Sequence, residues 1–345
     1  MAILVGMDEA GYGPNLGPLV VAATVWKVGQ EAEALAASPT QSPPSRTDGG
    51  LLLATTAKTD SSSVDLYARL AGTVANSPSG DQRLAIADSK RLYKPGKGLK
   101  QLERGVLAAL AAGGQSADRW QALTDFADPE GQRHALPWYA NFDCPLPIDA
   151  TDDQIAESTA LLREGCRSAA VEVIGVRARM VFPAEFNRLT LQHGTKGAAL
   201  SHITLALLKN VLDASPPEPC SITCDKHGGR NRYGPLLQHH FSDEWVETLD
   251  EGRAASHYQW GPPECRTTVS FRVGGEAALP TALASMTAKY LRELAMRAFN
   301  SYWAGQVADL RPTAGYPVDA RRFKQEIAAT QHKLRISDEQ IWRNR

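Results

Sequence analysis

The chain has 345 residues, room for one large domain with insertions or two ordinary ones; 43% are apolar and 22% charged, a globular balance. A formal net charge of −1 excludes a broad polycation, yet leaves room for a basic groove balanced by acidic surface elsewhere. Met1 to Gly6 lacks the basic start and the length of a secretory leader, and no apolar run is long enough for a membrane span. The five cysteines form no CxxC pair, so a cytoplasmic protein with reduced thiols is expected.

In chain order, Ile3 to Met7 is a continuous apolar run that predicts a buried strand, and Leu19 to Trp26, rich in Val and Thr, predicts a second. Between them "DEAGYGPNLGP" supplies the glycines and prolines of a close reversal. Residues 29–80 shift to Pro, Ser and Thr with little periodicity, the composition of a mobile insertion carrying one short element. A second irregular stretch, residues 113–152, has enough aromatic residues to pack, so an ordered insertion is expected. Val173 to Val181 alternates in part and predicts a half-buried strand. Gly197 to Asp213 repeats apolar residues at Leu200, Ile203, Leu207, Leu208 and Val211, one face of a helix. Ser221 to Cys224 predicts a short strand finishing at Asp225. Thr267 to Val273 predicts another, running into Gly274 and Gly275. Pro280 to Trp303 predicts a long helix with proline tolerated at its start. Strands alternating with helices give an α/β class with one mixed sheet.

Carboxylates stand at the ends of two of these strands: Asp8, with Glu9 beside it, and Asp225. Were the strands neighbours, Asp8 and Asp225 would face each other, and like charges so close require a cation; hard oxygen ligands suit Mg²⁺ or Mn²⁺. Successive strand residues point to opposite faces, so Glu9 joins Asp8 only if the glycine loop distorts the strand end. The alternative is a turn begun by Asp8 with Glu9 in water. Lys226, His227, Arg230 and Arg232 surround Gly228-Gly229, which suits a phosphate or a nucleic-acid strand and equally a solvated loop. Lys196 stands between Gly194 and Gly197 at a helix start, where an anion is favoured. Lys289, Glu293 and Arg297 at i, i+4, i+8 read as an exposed ion-pair ladder, and spacing alone does not make Glu293 a ligand.

Taken together, "GMDEAGYGPNLGPLVVAATV", "ADSKRL" from Ala87, "FNRL" from Phe186, "ITCD" ending at Asp225, "ALASMTAKYLRELAM" from Ala282 and "AGYP" from Ala314 resemble ribonuclease HII, the type 2 ribonuclease H family, in that family's order. The resemblance covers the core and leaves both insertions without a counterpart. It implies a ribonuclease H-like fold, a mixed sheet flanked by helices, over one domain of residues 1–345. It implies hydrolysis of RNA in RNA/DNA hybrids, or at ribonucleotides embedded in duplex DNA, with two divalent ions (Mg²⁺ or Mn²⁺) held by four carboxylates. Asp8, Glu9 and Asp225 match the first three, and Glu293, after Arg292, stands where the family has Asp. Gly11 and Gly13 match positions whose backbone lies against the nucleic acid, with Tyr12 in place of the family's Arg. Ser89 and Lys90 match a segment near the substrate, and Tyr316 a tyrosine that stacks on its sugar. Lys196 and Lys226 complete the expected substrate contacts. A non-catalytic binding module of the same fold, or a nuclease with another nucleic-acid substrate, stays open as an alternative. The oligomeric state is not legible.

Overall fold

The structure is a computed structural model that describes residues 1–29, 64–78, 82–115 and 117–344. Seven strands form its main sheet: β1 (Ala2–Ala10), β2 (Leu19–Val28), β3 (Val171–Val181), β4 (Cys220–Asp225), β5 (Glu247–Glu251), β6 (Ala255–Trp260) and β7 (Thr267–Arg272). Their order across the sheet is β3-β2-β1-β4-β7-β6-β5. The sheet is mixed, with β4 parallel to both β1 and β7 and every other pairing antiparallel. Asp8 and Asp225 therefore stand side by side, each just past the last paired residues, Met7 and Cys224, of two neighbouring parallel strands.

Side-chain alternation sorts the apolar runs into two cores. Ile3, Val5, Met7, Leu19, Val21 and Val25 point to one face, and Leu4, Val20, Ala22 and Trp26 to the other. The first face is covered by α3 (Pro183–His193), α4 (Lys196–Asp213) and α5 (Gly234–His240). The second is covered by α1 (Lys100–Ala112), α2 (Asp152–Ser168), α6 (Leu279–Ala304) and α7 (Pro317–Lys333). Burial on both faces explains why β1 and β2 read as unbroken apolar runs. The chain is thus an α/β protein with a mixed sheet flanked by helices. Among the described residues, no helix is long and apolar enough to cross a membrane.

Helix α6 starts directly on the sheet. A Cβ on Gly6 would lie 2.0 Å from the Thr281 amide nitrogen, so only glycine lets β1 pass under the helix start. Two hydroxyls fix this crossing: Thr24 Oγ1 donates to the Pro280 carbonyl at 2.7 Å, and Thr281 Oγ1 to the Thr223 carbonyl at 3.1 Å. The residues after α1 form short helices (Trp120–Asp125 and Pro137–Ala140) whose Trp120 and Trp138 are buried. Trp138 packs edge-on against Phe299 of α6, and the buried Glu103 carboxylate accepts the Ile148, Asp149 and Ala150 amides. Of residues 29–80, the described part holds a one-turn helix (Leu66–Arg69) and the two-residue strand Val74–Ala75; the expected mobile stretch otherwise lies outside the described residues.

Candidate metal centre and nucleic-acid interface

Strand β1 continues past Met7 to Ala10, so Asp8 and Glu9 both sit in regular ladder, opposite Ala22 and Val21 of β2. They consequently point to opposite faces, and the strand-end distortion expected to bring them together is absent. Asp8 lies on the α6 side, where the nearby Ser285 hydroxyl favours its charged form. The Ser285 and Ser89 hydroxyl oxygens lie 3.1 Å apart, a contact that ties the Asp88–Leu92 turn to the helix.

One carboxylate oxygen from each of Asp8, Asp225 and Glu276 lies within 4.8 Å of the other two; among the described residues this is the group whose spacing suits a metal ion. Glu276 follows β7 through Gly274, which is left-handed at φ +70°, and Gly275. A Cβ on Gly275 would lie 3.1 Å from the Asp225 amide, so glycine lets this turn close onto the end of β4. The Gly275 amide then donates to Asp225 Oδ1 at 3.2 Å. Sequence reading missed Glu276, although the rule that picked Asp8 and Asp225, a carboxylate just past a buried strand, applies to it once Gly274-Gly275 is read as a turn.

Glu293 is not part of this group. Its carboxylate accepts the Tyr93 hydroxyl at 2.8 Å and pairs with Lys289 one turn earlier on α6, the ion-pair reading of that helix face. The physical reason is helical phase: Arg292, next to it, turns inward, and Glu293 turns towards Tyr93 instead of the strand ends.

Crowding of negative charge in a dry place leaves a clear electrostatic mark. Burial first, and then Glu9, push the Asp8 carboxyl well above its ordinary range. Burial, followed by Asp225, raises Glu9 from 4.5 to about 7, so Glu9 senses the group from the other face. Glu276 is raised as well, again by burial ahead of Asp225. Burial opposes the charge on Lys90, but Asp88, Glu276, Asp8 and Asp225 together outweigh it and raise its pKa. The Lys90 ammonium stands 3.7 Å from Glu276, on a largely exposed side chain. Three hard oxygen donors that repel one another, with the Lys90 ammonium at their rim, fit a divalent cation of the Mg²⁺ or Mn²⁺ kind.

Beyond β1 the glycine loop faces a cleft of about 610 Å³ whose walls include Tyr12, Lys196, Arg230, Asn231 and Arg232. Tyr12 points its hydroxyl between the starts of two backbones: a Cβ would meet it at 3.3 Å from Gly197 and at 3.2 Å from Gly228. The Lys196 ammonium lies 4.5 Å above the Tyr12 ring centre, a cation–π contact. Tyr316 is 57% exposed and lines the loop next to Gly13. Two expected substrate contacts are placed elsewhere. Ser89 is buried against Ser285, and the Lys226 ammonium is buried and spent internally on the Arg230 and Gly252 carbonyls, Asn231 Oδ1 and Ser256 Oγ.

No family model matches the chain, and no curated protein does. Solved structures similar to it include ribonuclease H2 from Pyrococcus horikoshii OT3, at 13% identity over 98% of this chain and 92% of that one, with a TM-score of 0.44. RNase HII of Archaeoglobus fulgidus, solved in its complex with PCNA, is 15% identical over 99% of this chain and 94% of that one, with a TM-score of 0.42. Aquifex aeolicus RNase H3 is 13% identical over 98% of this chain and 70% of that one, with a TM-score of 0.40.

Proposed function

We propose that residues 1–345 form one ribonuclease H-like catalytic domain with two insertions, a divalent-metal-dependent endoribonuclease that cuts RNA in RNA/DNA hybrids or at ribonucleotides within duplex DNA. The observation that carries the reading is the convergence of Asp8, Asp225 and Glu276 at the ends of three strands, directly beside a glycine loop and a basic cleft. Asp8, Asp225 and Glu276 would hold the cation, with Glu9 at the edge of the group for a second; Glu293 would serve the Tyr93 and Lys289 contacts. Bound Mg²⁺ or Mn²⁺ would supply a lowered pKa for the attacking water and charge neutralisation at the departing 3′-oxygen.

The protein's own groups do the rest. Lys90, at the rim of the carboxylates, attracts a backbone phosphate towards them. Gly13 is exposed, with only the Tyr316 ring edge near the place of a side chain, and offers main chain where a 2′-hydroxyl can be read; Gly11 shapes the same stretch, because a Cβ there would lie 2.6 Å from the Pro18 carbonyl oxygen. Tyr12 has no charge, but the Lys196 ammonium over its ring supplies one at that spot, joined across the cleft by Arg230 and Arg232. Tyr316 offers an exposed ring beside Gly13 for a sugar or base. A cytoplasmic location, where such duplexes are met in reduced conditions, belongs to the same reading.

The test is cleavage of three matched duplexes, all DNA, RNA/DNA, and DNA with one ribonucleotide, each with Mg²⁺ and with Mn²⁺. The expected result is cutting of the ribonucleotide-containing duplexes and loss of that cutting in Asp8→Asn. Cleavage of the hybrid by Asp8→Asn at the wild-type rate would overturn the reading.

A further inference from the structure

The loop that follows β1 has little structure of its own. Pro14 and Pro18 have no amide hydrogen to give, and Gly11 and Gly17 take left-handed backbone at φ +92° and +77°. Its shape is imposed from three distant segments. Arg292 of α6 donates to the Pro18, Leu16 and Ala314 carbonyls, and the Asn15 amide donates to the Gly315 carbonyl at 2.7 Å. The third segment is Trp342–Asn344, more than 300 residues further along the chain.

Arg343 is 1% exposed, and its Nη2 donates to both the Gly11 and Pro14 carbonyls, each at 2.6 Å. Its main chain clasps Asn15 in both directions: the Arg343 amide donates to the Asn15 carbonyl, and Asn15 Nδ2 donates to the Arg343 carbonyl, both at 2.8 Å. Trp342 makes a β-bridge with Leu16. On the far side, Asn187 of α3 donates to the Trp342 carbonyl and accepts the Asn344 amide, and the guanidinium rests 5.0 Å from the Phe186 ring centre.

This is a costly way to hold a turn. Among the described residues no carboxylate pairs with Arg343, its Nε and Nη1 have no hydrogen-bond partner, and a second buried guanidinium, Arg292, is close enough to repel it. A buried cation without a counter-ion is an expensive choice where apolar packing would serve, so its two converging bonds to the loop are the feature to be explained.

We propose that Trp342–Asn344 is a strap that fixes residues 11–16 in the shape that meets the nucleic acid, with Arg343 as its positioning residue. The proposal rests on the reading of this loop as a substrate surface. The metal ligands lie outside its reach, because Asp8 is held by the β1–β2 ladder and not by the strap. Loss of the strap therefore weakens substrate binding and leaves the chemical step.

The experiment pairs kinetics with amide hydrogen exchange on the full chain carrying Arg343→Ala. The expected result is a KM for the cleaved duplex raised at least tenfold with kcat within threefold, and exchange at Asn15 and Leu16 at least tenfold faster while β1 and β2 stay protected. Arg343→Lys keeps the charge and most of the volume but not the fork, and stands in should the alanine variant fail to fold; it shows the same split at threefold or more. Unchanged exchange in the loop overturns the strap, whatever the activity. Faster exchange with an unchanged KM overturns the link to substrate. A wild-type chain that cuts none of the duplexes overturns the proposed function, and the exchange result then decides the strap by itself.

Discussion

Glu276 and Glu293 are both glutamates near the start or middle of α6, yet their surroundings give them opposite expectations. Glu276 stands within 4.8 Å of Asp8 and Asp225, where a cation is the natural counter-charge, whereas Glu293 already has Lys289 and the Tyr93 hydroxyl. Glu276→Gln is expected to lower hybrid cleavage at least a hundredfold, and Glu293→Gln to stay within about fivefold of wild type. Steady-state rates with Mn²⁺, measured on both variants side by side, check this; equal losses would return Glu293 to the site. Asp8, Glu9 and Asp225 were legible as candidate ligands because each ends or nearly ends an apolar run. Glu293 matches the family only through a motif on a helix, and sequence spacing does not fix which way such a side chain turns.

At the scale of elements, the site depends on two glycines that permit close contact. Gly6 lets α6 start on the sheet, and Gly275 lets the turn after β7 close onto β4. An added Cβ at Gly275 would lie only 3.1 Å from the Asp225 amide, so the turn must retreat by a few tenths of an ångström. Gly275→Ala is therefore expected to cut activity at least tenfold while costing on the order of 1 kcal/mol of stability, because the displaced turn is short and at the sheet's end. Rates and denaturant unfolding, taken together, separate this from global damage; a normal rate would show that Glu276 need not be placed so closely. Helix α4 and strands β1, β2, β3, β4 and β7 were readable from periodicity and apolar runs, to within a few residues at each end. Strands β5 and β6 were not. Four of the five residues of β5 are exposed and it is an edge strand, so no buried face imposes a pattern on it.

For the molecule as a whole, the carboxylate group is expected to couple stability to pH and, under the proposed function, to metal. In the metal-free protein Glu9 titrates near 7 against an ordinary 4.5, and Asp8 and Glu276 are raised too, so the folded state holds protons that the unfolded chain has released. Stability contributed by these protonated carboxyls is complete below about pH 4.5 and falls as pH rises through 7. The melting temperature with a chelator present is expected to fall from pH 5 to pH 7.5. Excess Mg²⁺ or Mn²⁺ is expected to raise it most at the upper end, where cations no longer compete with protons. Asp8→Asn is expected to flatten the metal-free slope and to lose most of the metal response. Thermal melts of both proteins across this range check the sign; a metal-free melting temperature that rises with pH would show that the group is not repulsive. By itself the sequence determined the α/β class, the central strands and two of the three clustered carboxylates, because burial on both faces and strand-end position are local, periodic signals. Only the tertiary structure decided that Glu276 replaces Glu293 in the group, that Lys226 and Ser89 turn inward, and that Arg343 reaches the loop after β1. Those facts depend on strand order and on contacts between segments hundreds of residues apart, and no local pattern records which segments meet.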